Sequence, residues 1–330
     1  MPKMKYIELT AFGKPWEVCK TINGNDLAKP DPGYVTLEIN AAPINPAELL
    51  IMEGKYATQP ALPVKLGIEG VGTILDLGDG VEDLNIGDRV LSLGRTNWAE
   101  KIQAPANTMI RVSKDADVNQ LSMLKVNPAT AMFMLEQFVD LKPGDWVIQN
   151  AANSAVGRCL IQLARAKGIS TINVVRRSDL NEELIELGAD LVFLDGEDLA
   201  DRVRKEIGEA NIPLGIDSVA GKATSNLAET LSEGGTVVNY GLLSGEPCQL
   251  TPDMIVFKGI TLTGFWLAKK LGSMSLDKIQ ETYKNLASKI INGDLYVPVE
   301  AIYDLGHFED ALRHAYRGGR NGKILFAPNG

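Results

Sequence analysis

The chain of 330 residues carries 33 lysine and arginine residues against 42 aspartate and glutamate residues, a formal net charge of -9, which disfavours nucleic-acid binding. Its length exceeds what one hydrophobic core usually organises, and its 45% hydrophobic content is ordinary for a globular protein, so two domains are expected. No stretch approaches the roughly 20 apolar residues of a membrane helix, and no signal or transit segment is recognisable, so we expect a cytoplasmic protein without membrane contact.

The predicted elements change character along the chain. Residues 1–120 alternate short β-branched runs with proline and glycine, as in GYVTLEINAAPINP, which predicts a compact β-rich domain. Residues 121–267 alternate helical periods with buried-strand runs such as DWVIQN, STINVV and GGTVVNYG, which predicts an α/β domain with a parallel sheet. Residues 268–330 contain two helical segments and a closing strand, KILFAP, which we expect the first domain to reclaim.

The stretch QNAANSAVG, residues 149–157, stands where a dinucleotide-binding fold has its glycine-rich turn. Only Gly157 remains of the usual G-x-G-x-x-G pattern, but every residue aligned with its glycines is small, so the backbone can still approach a pyrophosphate. N–H groups at the start of the following helix favour an anion. The alternative is an ordinary loop without a ligand. The residues expected to bind the dinucleotide here are Asn153, Ser154, Ala155 and Val156.

The end of the next predicted strand indicates which dinucleotide binds. An NAD site carries Asp or Glu about 20 residues after the turn, where it binds the ribose hydroxyls. This chain has Arg176 and Arg177 there, and two guanidinium groups suit a 2′-phosphate that a carboxylate would repel. We therefore predict NADPH as the cofactor. Against this, Asp179 stands nearby, and an arginine pair after a strand is often solvated surface.

The cysteines and histidines do not form a metal-binding pattern. Cys19, Cys159 and Cys248 are too few and too scattered for a four-thiolate zinc site. The only histidines, His307 and His314, have no third ligand near them in the sequence. The sequence therefore predicts no metal site.

The order of a β domain, a mid-chain nucleotide domain and a return to the β domain resembles the medium-chain dehydrogenase/reductase superfamily, over essentially the whole chain. Zinc alcohol dehydrogenases of that superfamily carry a cysteine and a G-H-E segment where this chain has AAPINPAELL and GIEG, so the resemblance is to the zinc-free branch. Four stretches resemble the mitochondrial-type 2-enoyl thioester reductases: INPAELLIMEGKY, VNPATAMFML, VIQNAANSAVG with TINVVRR, and GFW. The fold implied is a Rossmann-type doubly wound parallel sheet domain with a GroES-like β-rich catalytic domain.

The resemblance implies NADPH-dependent reduction of 2-enoyl thioesters carried on CoA or on acyl carrier protein. It implies a catalytic tyrosine at Tyr56, with Asn45 and Trp266 in the pocket. A phenol is neutral at pH 7 and carries a donor O–H, so it can stabilise the charge that builds on the thioester oxygen and provide the proton for Cα. Without a metal, Glu69 is expected to form structural hydrogen bonds. The remaining cofactor contacts implied are Asn127, Tyr240, Gly241 and Phe265, together with Trp266.

Other interpretations of these residues stay open. Tyr56 alone could be a loop tyrosine packed at a domain edge, and Asn45 and Asn127, each followed by proline, could be turn formers. Trp266 could be a core or interface aromatic. A quinone or 2-alkenal reductase on the same scaffold is the nearest alternative enzyme, and a non-catalytic nucleotide-binding protein is the alternative from another class. The strand TLTGF is expected at a sheet edge, where pairing with a second copy would give a homodimer.

Overall fold

The chain passes from a β-rich unit into an α/β unit and back again. The computed structural model describes residues 3–330. Unit 1 comprises Met1–Val126 and Met274–Gly330, and unit 2 comprises Asn127–Ser273. The boundaries predicted from sequence, after 120 and after 267, fall a few residues before these.

Sixteen strands are present in the described residues. Numbered in chain order, they are β1 Lys3–Leu9, β2 Cys19–Asn25, β3 Tyr34–Pro43, β4 Val64–Lys65, β5 Gly70–Leu77, β6 Arg89–Ser92, β7 Lys101–Pro105, β8 Met109–Arg111, β9 Trp146–Gln149, β10 Ser170–Val175, β11 Leu191–Leu194, β12 Leu214–Asp217, β13 Thr236–Asn239, β14 Thr261–Gly264, β15 Val299–Tyr303 and β16 Lys323–Phe326.

Twelve α-helices accompany them in the same range. They are α1 Pro15–Val18, α2 Pro46–Met52, α3 Val118–Ser122, α4 Asn127–Gln137, α5 Ala155–Ala166, α6 Asn181–Leu187, α7 Leu199–Ile207, α8 Lys222–Thr230, α9 Pro252–Val256, α10 Leu267–Gly272, α11 Leu276–Ile291 and α12 Phe308–Tyr316. None of the helices described is long and apolar enough to cross a bilayer.

Unit 2 contains a six-stranded sheet in the order β11-β10-β9-β12-β13-β14, in which every neighbouring pair is parallel. Counted from β9, this is the order 3-2-1-4-5-6 of a doubly wound dinucleotide-binding sheet. The direction of winding changes between β9 and β12, and ligands bind such sheets beyond the carboxyl ends of the strands at that point. The predicted Rossmann-type fold is therefore confirmed.

Unit 1 contains a large sheet in the order β15-β16-β3-β5-β6-β8, with β7 also paired to β3, and a smaller sheet of β2, β1 and β4. The closing strand β16 pairs antiparallel with β3, as expected from the sequence. Its Phe326 is fully buried and meets the edge of the fully buried Trp98 ring, with centroids 5.1 Å apart. The indole N–H of Trp98 donates to the carbonyl of Pro43 over 3.2 Å, so the returning strand completes this core.

Candidate active site

The turn after β9 has the shape of a nucleotide-binding turn with a single glycine. A Cβ on Gly157 would lie 2.5 Å from the carbonyl oxygen of Ala152, so this position accepts no larger residue. Ala151 takes the left-handed region that glycine usually supplies, with φ of 47°. The hydroxyl of Ser154 caps α5 by accepting the N–H of Gly157 over 3.1 Å. The N–H groups of the first turn of α5 thus stay at the carboxyl edge of the sheet, where they can bind an anion.

Tyr240, which the resemblance implies as a cofactor contact, lies beside this turn. Its hydroxyl lies close to those of Ser154 and Ser218, and burial raises the pKa of the phenol, so it stays protonated. A Cβ on Gly241 would lie 2.6 Å from the carbonyl oxygen of Ser218, so the backbone after β13 packs closely against the end of β12. The structure therefore brings Ser154, Tyr240 and Gly241 together.

Asp217, which the sequence analysis did not identify, organises the same edge. It is fully buried at the end of β12, where its two oxygens accept hydrogen bonds from side chains of three neighbouring segments. Asn150 donates to it over 2.7 Å, Asn239 over 3.1 Å and Thr224 over 2.7 Å. The oxygen of the Asn150 amide in turn accepts the N–H of Ser218. Both ends of the Asn150 amide are thus used inside unit 2, and this residue shapes the turn.

A second unpredicted residue, Arg158, supports the turn from the helix side. Its side chain is only 3% exposed, and its Nε donates to the carbonyl of Asn153 over 3.1 Å. Its guanidinium also lies 2.8 Å from Glu183 on α6. The sequence signal was a charged residue inside an apolar helical run, which periodicity alone does not interpret.

Arg176 and Arg177 follow β10 and are both exposed. Arg177 lies 3.6 Å from Asp179, so part of its charge is already compensated. Within the described part of the chain, Arg176 has no ion-pair partner. Arg176 is thus the better placed of the two to meet a phosphate.

The remaining predicted cofactor residues of unit 2 differ in environment. Asn127, at the first position of α4, is 4% exposed, and its Nδ2 has no hydrogen-bond partner in the described structure. A buried donor without a hydrogen-bond partner destabilises the fold by about 1–3 kcal/mol. A ligand atom that accepts a hydrogen bond from Nδ2 would remove this penalty. Phe265 packs among aromatic rings, 6.3 Å from Phe138 in an edge contact, and Trp266 is 38% exposed. These residues fit NADPH. Arg176 can meet a phosphate, the N–H groups in the first turn of α5 can bind an anion, and Nδ2 of Asn127 can donate to a ligand acceptor.

Tyr56 stands in unit 1 on the segment that follows α2. Its backbone N–H donates to the carbonyl of Leu50 over 3.2 Å, and its partly buried ring packs against the core of that unit. Glu53, at the end of α2, accepts the hydroxyl proton of Tyr316 on α12 over 2.7 Å. Gly54 then turns the chain with φ of +73°. The segment carrying Tyr56 is therefore fixed to both α2 and α12.

Asn45, predicted as a pocket residue, immediately precedes α2 and is 1% exposed. Its Nδ2 donates to Glu69 over 2.8 Å, and its Oδ1 accepts from the ammonium of Lys323 over 2.6 Å. Its backbone N–H donates to Glu48, three residues later, which caps the helix. The other oxygen of Glu69 accepts the N–H of Val126, so the structural role expected for Glu69 is present.

These contacts belong to a buried group of four ionisable side chains, which we call the charge cluster. Each member is at most 8% exposed, and the group combines two carboxyl side chains with two lysines. Burial raises the pKa of Glu48 to about 7 and also raises that of Glu69, while it lowers the pKa of Lys125 to about 8. The members are Glu48, Glu69, Lys125 and Lys323.

The surroundings of Asn45 do not fit a zinc ion. Residues 3–330 contain no group of three or more histidine, cysteine, aspartate or glutamate side chains that could hold a metal. In the GIEG segment, Ile68 stands where zinc-containing members have histidine. Lys125 and Lys323 already lie close to the carboxyl groups of the charge cluster and supply the positive charge that a metal would bring.

The raised pKa of Glu48 predicts a pH-dependent contribution to stability. Between its ordinary value of 4.5 and about 7, the folded chain keeps a proton that the unfolded chain has released. The contribution of Glu48 is therefore complete at low pH and is lost as the pH rises through that range. We expect the urea midpoint of Glu48→Gln, relative to wild type, to rise from pH 5 to about pH 7 and to level off above it. The exposed Glu82→Gln should show no such trend, and a constant difference for Glu48→Gln would contradict the prediction.

Comparison with known proteins agrees with this architecture. The alcohol dehydrogenase GroES-like domain model matches residues 31–114, and the zinc-binding dehydrogenase model matches residues 155–290. Among solved structures, a putative NADPH:quinone reductase from Bacillus thuringiensis superposes with a TM-score of 0.90 at 27% identity, covering 98% of this chain and 99% of that one. A complex of Etr1p with NADP and crotonyl-CoA gives 0.90 at 24% identity, covering 99% and 100%, and shows the same fold.

The curated relatives are more specific. The mitochondrial enoyl-[acyl-carrier-protein] reductase of Rattus norvegicus is 34% identical over 323 residues, covering 92% of this chain and 87% of that protein. The Caenorhabditis elegans protein of the same name is 38% identical over 274 residues, covering 81% and 78%. The chain therefore belongs to the medium-chain dehydrogenase/reductase superfamily, as a member of the enoyl thioester reductase type.

Proposed function

We propose that the protein uses NADPH to reduce trans-2-enoyl thioesters to saturated acyl thioesters, with hydride added at Cβ and a proton at Cα. The relatives named enoyl-[acyl-carrier-protein] reductase support the substrate class. One observation in the structure supports the assignment of residues: the buried Asn45 immediately precedes the short helix α2 of unit 1, and Tyr56 stands on the segment that follows it.

NADPH, when bound, supplies the hydride. The protein must stabilise the negative charge that develops on the thioester oxygen and provide the proton for Cα. The phenol of Tyr56 suits both tasks because it carries a donor O–H at neutral pH. Asn45 contributes a further N–H donor in unit 1, and Asn127 and Trp266 are proposed as cofactor contacts in unit 2. A preorganised donor at a developing oxyanion is worth about 3 kcal/mol, and acid catalysis adds roughly 10²–10⁴-fold.

The same scaffold supports a second candidate, a quinone or 2-alkenal reductase. The structural similarity to a putative NADPH:quinone reductase is the observation that favours it. NADPH oxidation measured with crotonyl-CoA and with a naphthoquinone separates the two. We expect turnover with the thioester to exceed turnover with the quinone. NADPH binding without turnover of either compound would support a non-catalytic nucleotide-binding protein.

The proposal also covers the carrier of the enoyl group and the cellular location of the protein. The relatives carry both acyl-carrier-protein and mitochondrial in their names. We propose that this chain accepts enoyl groups on CoA and on acyl carrier protein. A cytoplasmic location stays a prediction, which fractionation of the source cells tests.

The role of Tyr56 predicts a large kinetic effect of a small change. Tyr56→Phe removes only the hydroxyl, so we expect turnover of crotonyl-CoA to fall by about 10²–10³-fold while the Kd of NADPH changes less than twofold. Fluorescence titration of NADPH and steady-state kinetics measure the two quantities. Tyr34→Phe, on an exposed tyrosine of β3, is the matched control and should behave as wild type. Unchanged turnover of Tyr56→Phe would reject the assignment.

The environments of the two arginines predict an unequal effect on cofactor choice. Arg176→Ala should weaken NADPH binding by about 10–100-fold and leave NADH binding unchanged, because only NADPH carries the 2′-phosphate. Arg177→Ala should have a smaller effect, since Asp179 already neutralises part of its charge. Arg204→Ala on α7, an exposed arginine paired with Asp201, serves as the control. Equal losses for NADPH and NADH in Arg176→Ala would contradict the phosphate assignment.

We also propose a homodimer formed through the β14 edge of the sheet in unit 2. Within the described residues, β14 pairs only with β13, so its outer backbone groups are open to a second copy. Large apolar side chains are exposed on and just before this strand, which indicates a contact surface. They are Ile255, Val256, Phe257 and Leu262.

The two edges of this sheet provide a matched test. Leu262→Glu places a charge on β14, and we expect it to convert a dimer into a monomer in sedimentation equilibrium. Leu194→Glu introduces the same change on β11 at the opposite edge, where Leu194 is 43% exposed against 39% for Leu262. It should leave the dimer intact. A monomeric wild type, or a dimeric Leu262→Glu, would contradict the proposal.

A further inference from the structure

The charge cluster fixes the direction of the Asn45 amide. An amide can usually be turned over with little change in shape, because its oxygen and nitrogen occupy similar positions. Here Glu69 can only accept a hydrogen bond when ionised, and the Lys323 ammonium can only donate. Turning the amide would set its oxygen against a carboxylate and its nitrogen against an ammonium. The cluster therefore determines which end of Asn45 carries the N–H groups.

This arrangement leaves one specific donor. The Nδ2 atom of Asn45 has two N–H groups, and one of them donates to Glu69. No second acceptor for Nδ2 lies among the described residues. The oxygen is already engaged by Lys323. The second N–H of Asn45 is thus held in direction by two charged neighbours.

Both charged neighbours are themselves fixed. Glu69 also accepts the N–H of Val126 over 2.8 Å, and Lys323 also donates to the carbonyl of Ile44 over 2.9 Å. Lys125 donates to the carbonyl of Ile68, which precedes Glu69 in the chain, and to the carbonyl of Leu93, and it makes no hydrogen bond to Asn45. Rotation of Asn45 would therefore break its hydrogen bonds to two side chains that are each held by a further hydrogen bond.

We propose that Lys323 and Glu69 are positioning residues that hold the second N–H of Asn45 as a hydrogen-bond donor to the thioester oxygen of the substrate. This inference rests on the proposed reduction of enoyl thioesters and assigns a purpose to a buried lysine that lies 278 positions from Asn45 in the sequence. Neither residue touches the substrate in this scheme; both act through Asn45.

A double-mutant cycle on turnover tests the proposal. We expect Lys323→Met and Asn45→Ala each to lower the kcat for crotonyl-CoA by about 10–100-fold, with less than a twofold change in the Kd of NADPH. The combined Asn45→Ala/Lys323→Met variant should be no slower than Asn45→Ala, because Lys323 acts only through that amide. Losses that multiply would show that Lys323 has a general structural role and would overturn the inference.

Two further variants keep the test decisive. Removing one buried charge can prevent folding, so the charge-balanced variant Glu69→Gln/Lys323→Met repeats the experiment without a net charge change. It should lose turnover to the same extent as Asn45→Ala, and wild-type turnover in this variant would refute the proposal. Lys101→Met is the control, because Lys101 pairs with Asp26 in unit 1 and makes no contact with Asn45. It should retain wild-type kcat.

A crystal structure of the charge-balanced variant separates this inference from the proposed function. We expect the Asn45 side chain to rotate or to take two orientations once Lys323 is gone. An unchanged amide with the same hydrogen bonds would overturn the inference even if enoyl thioesters are reduced. If the wild type reduces no enoyl thioester, the proposed function fails, and with it the role of the donor toward a thioester.

Discussion

The burial of the Glu69 carboxylate is the constraint around which unit 1 is arranged. An ionised carboxylate with no solvent contact is stable in a protein only when opposite charge and hydrogen-bond donors surround it. Lysines on two distant segments, one amide side chain and one backbone N–H meet this requirement. Because Glu69 needs these partners, Asn45 before α2, Val126 before α4 and Lys323 on β16 must lie close together.

Unit 2 also contains a buried carboxylate, Asp217, at the edge of its sheet. Asp217 is as deeply buried as Glu69, and its donors come from the ends of β9 and β13 and from α8. Two non-glycine residues with left-handed backbone, Ala151 and Ala220, lie next to this network. Such conformations cost of order 1–3 kcal/mol and persist only where their surroundings determine them. The hydrogen bonds around Asp217 therefore stabilise backbone conformations that glycines usually provide in such a turn.

Much of this fold follows from local patterns in the sequence. Buried β-branched runs predicted the parallel strands β9 to β14, and KILFAP predicted a strand that returns to the first domain. The position of the nucleotide turn was also predictable, because small residues between a strand and a helix are a local signal. The catalytic and cofactor roles of the individual residues remain predictions that the described experiments test.

The charged residues that support the site were not predictable in the same way. Lys323 opens the closing strand, and Arg158 lies within an apolar helical run, so local periodicity treats both as ordinary surface charges. Their burial is decided by partners far away in the sequence or on another helix, such as Asn45 and Glu183. A pattern of one segment contains no information about those partners. Sequence reasoning therefore identified residues expected to meet the ligands and a structural role for Glu69, but it missed Lys323 and Arg158.

The chemistry of an amide explains why asparagine suits position 45. A serine or threonine hydroxyl has a single proton, so donation to Glu69 would leave nothing for a substrate. An aspartate would add a third carboxyl group beside Glu48 and Glu69, and its charge would repel a developing oxyanion. Asparagine accepts from Lys323, donates to Glu69 and still has one N–H left. Among short side chains, only the amide can accept from Lys323, donate to Glu69 and keep a further N–H. The pairing of a carboxyl group and a lysine around position 45 therefore explains why asparagine stands there.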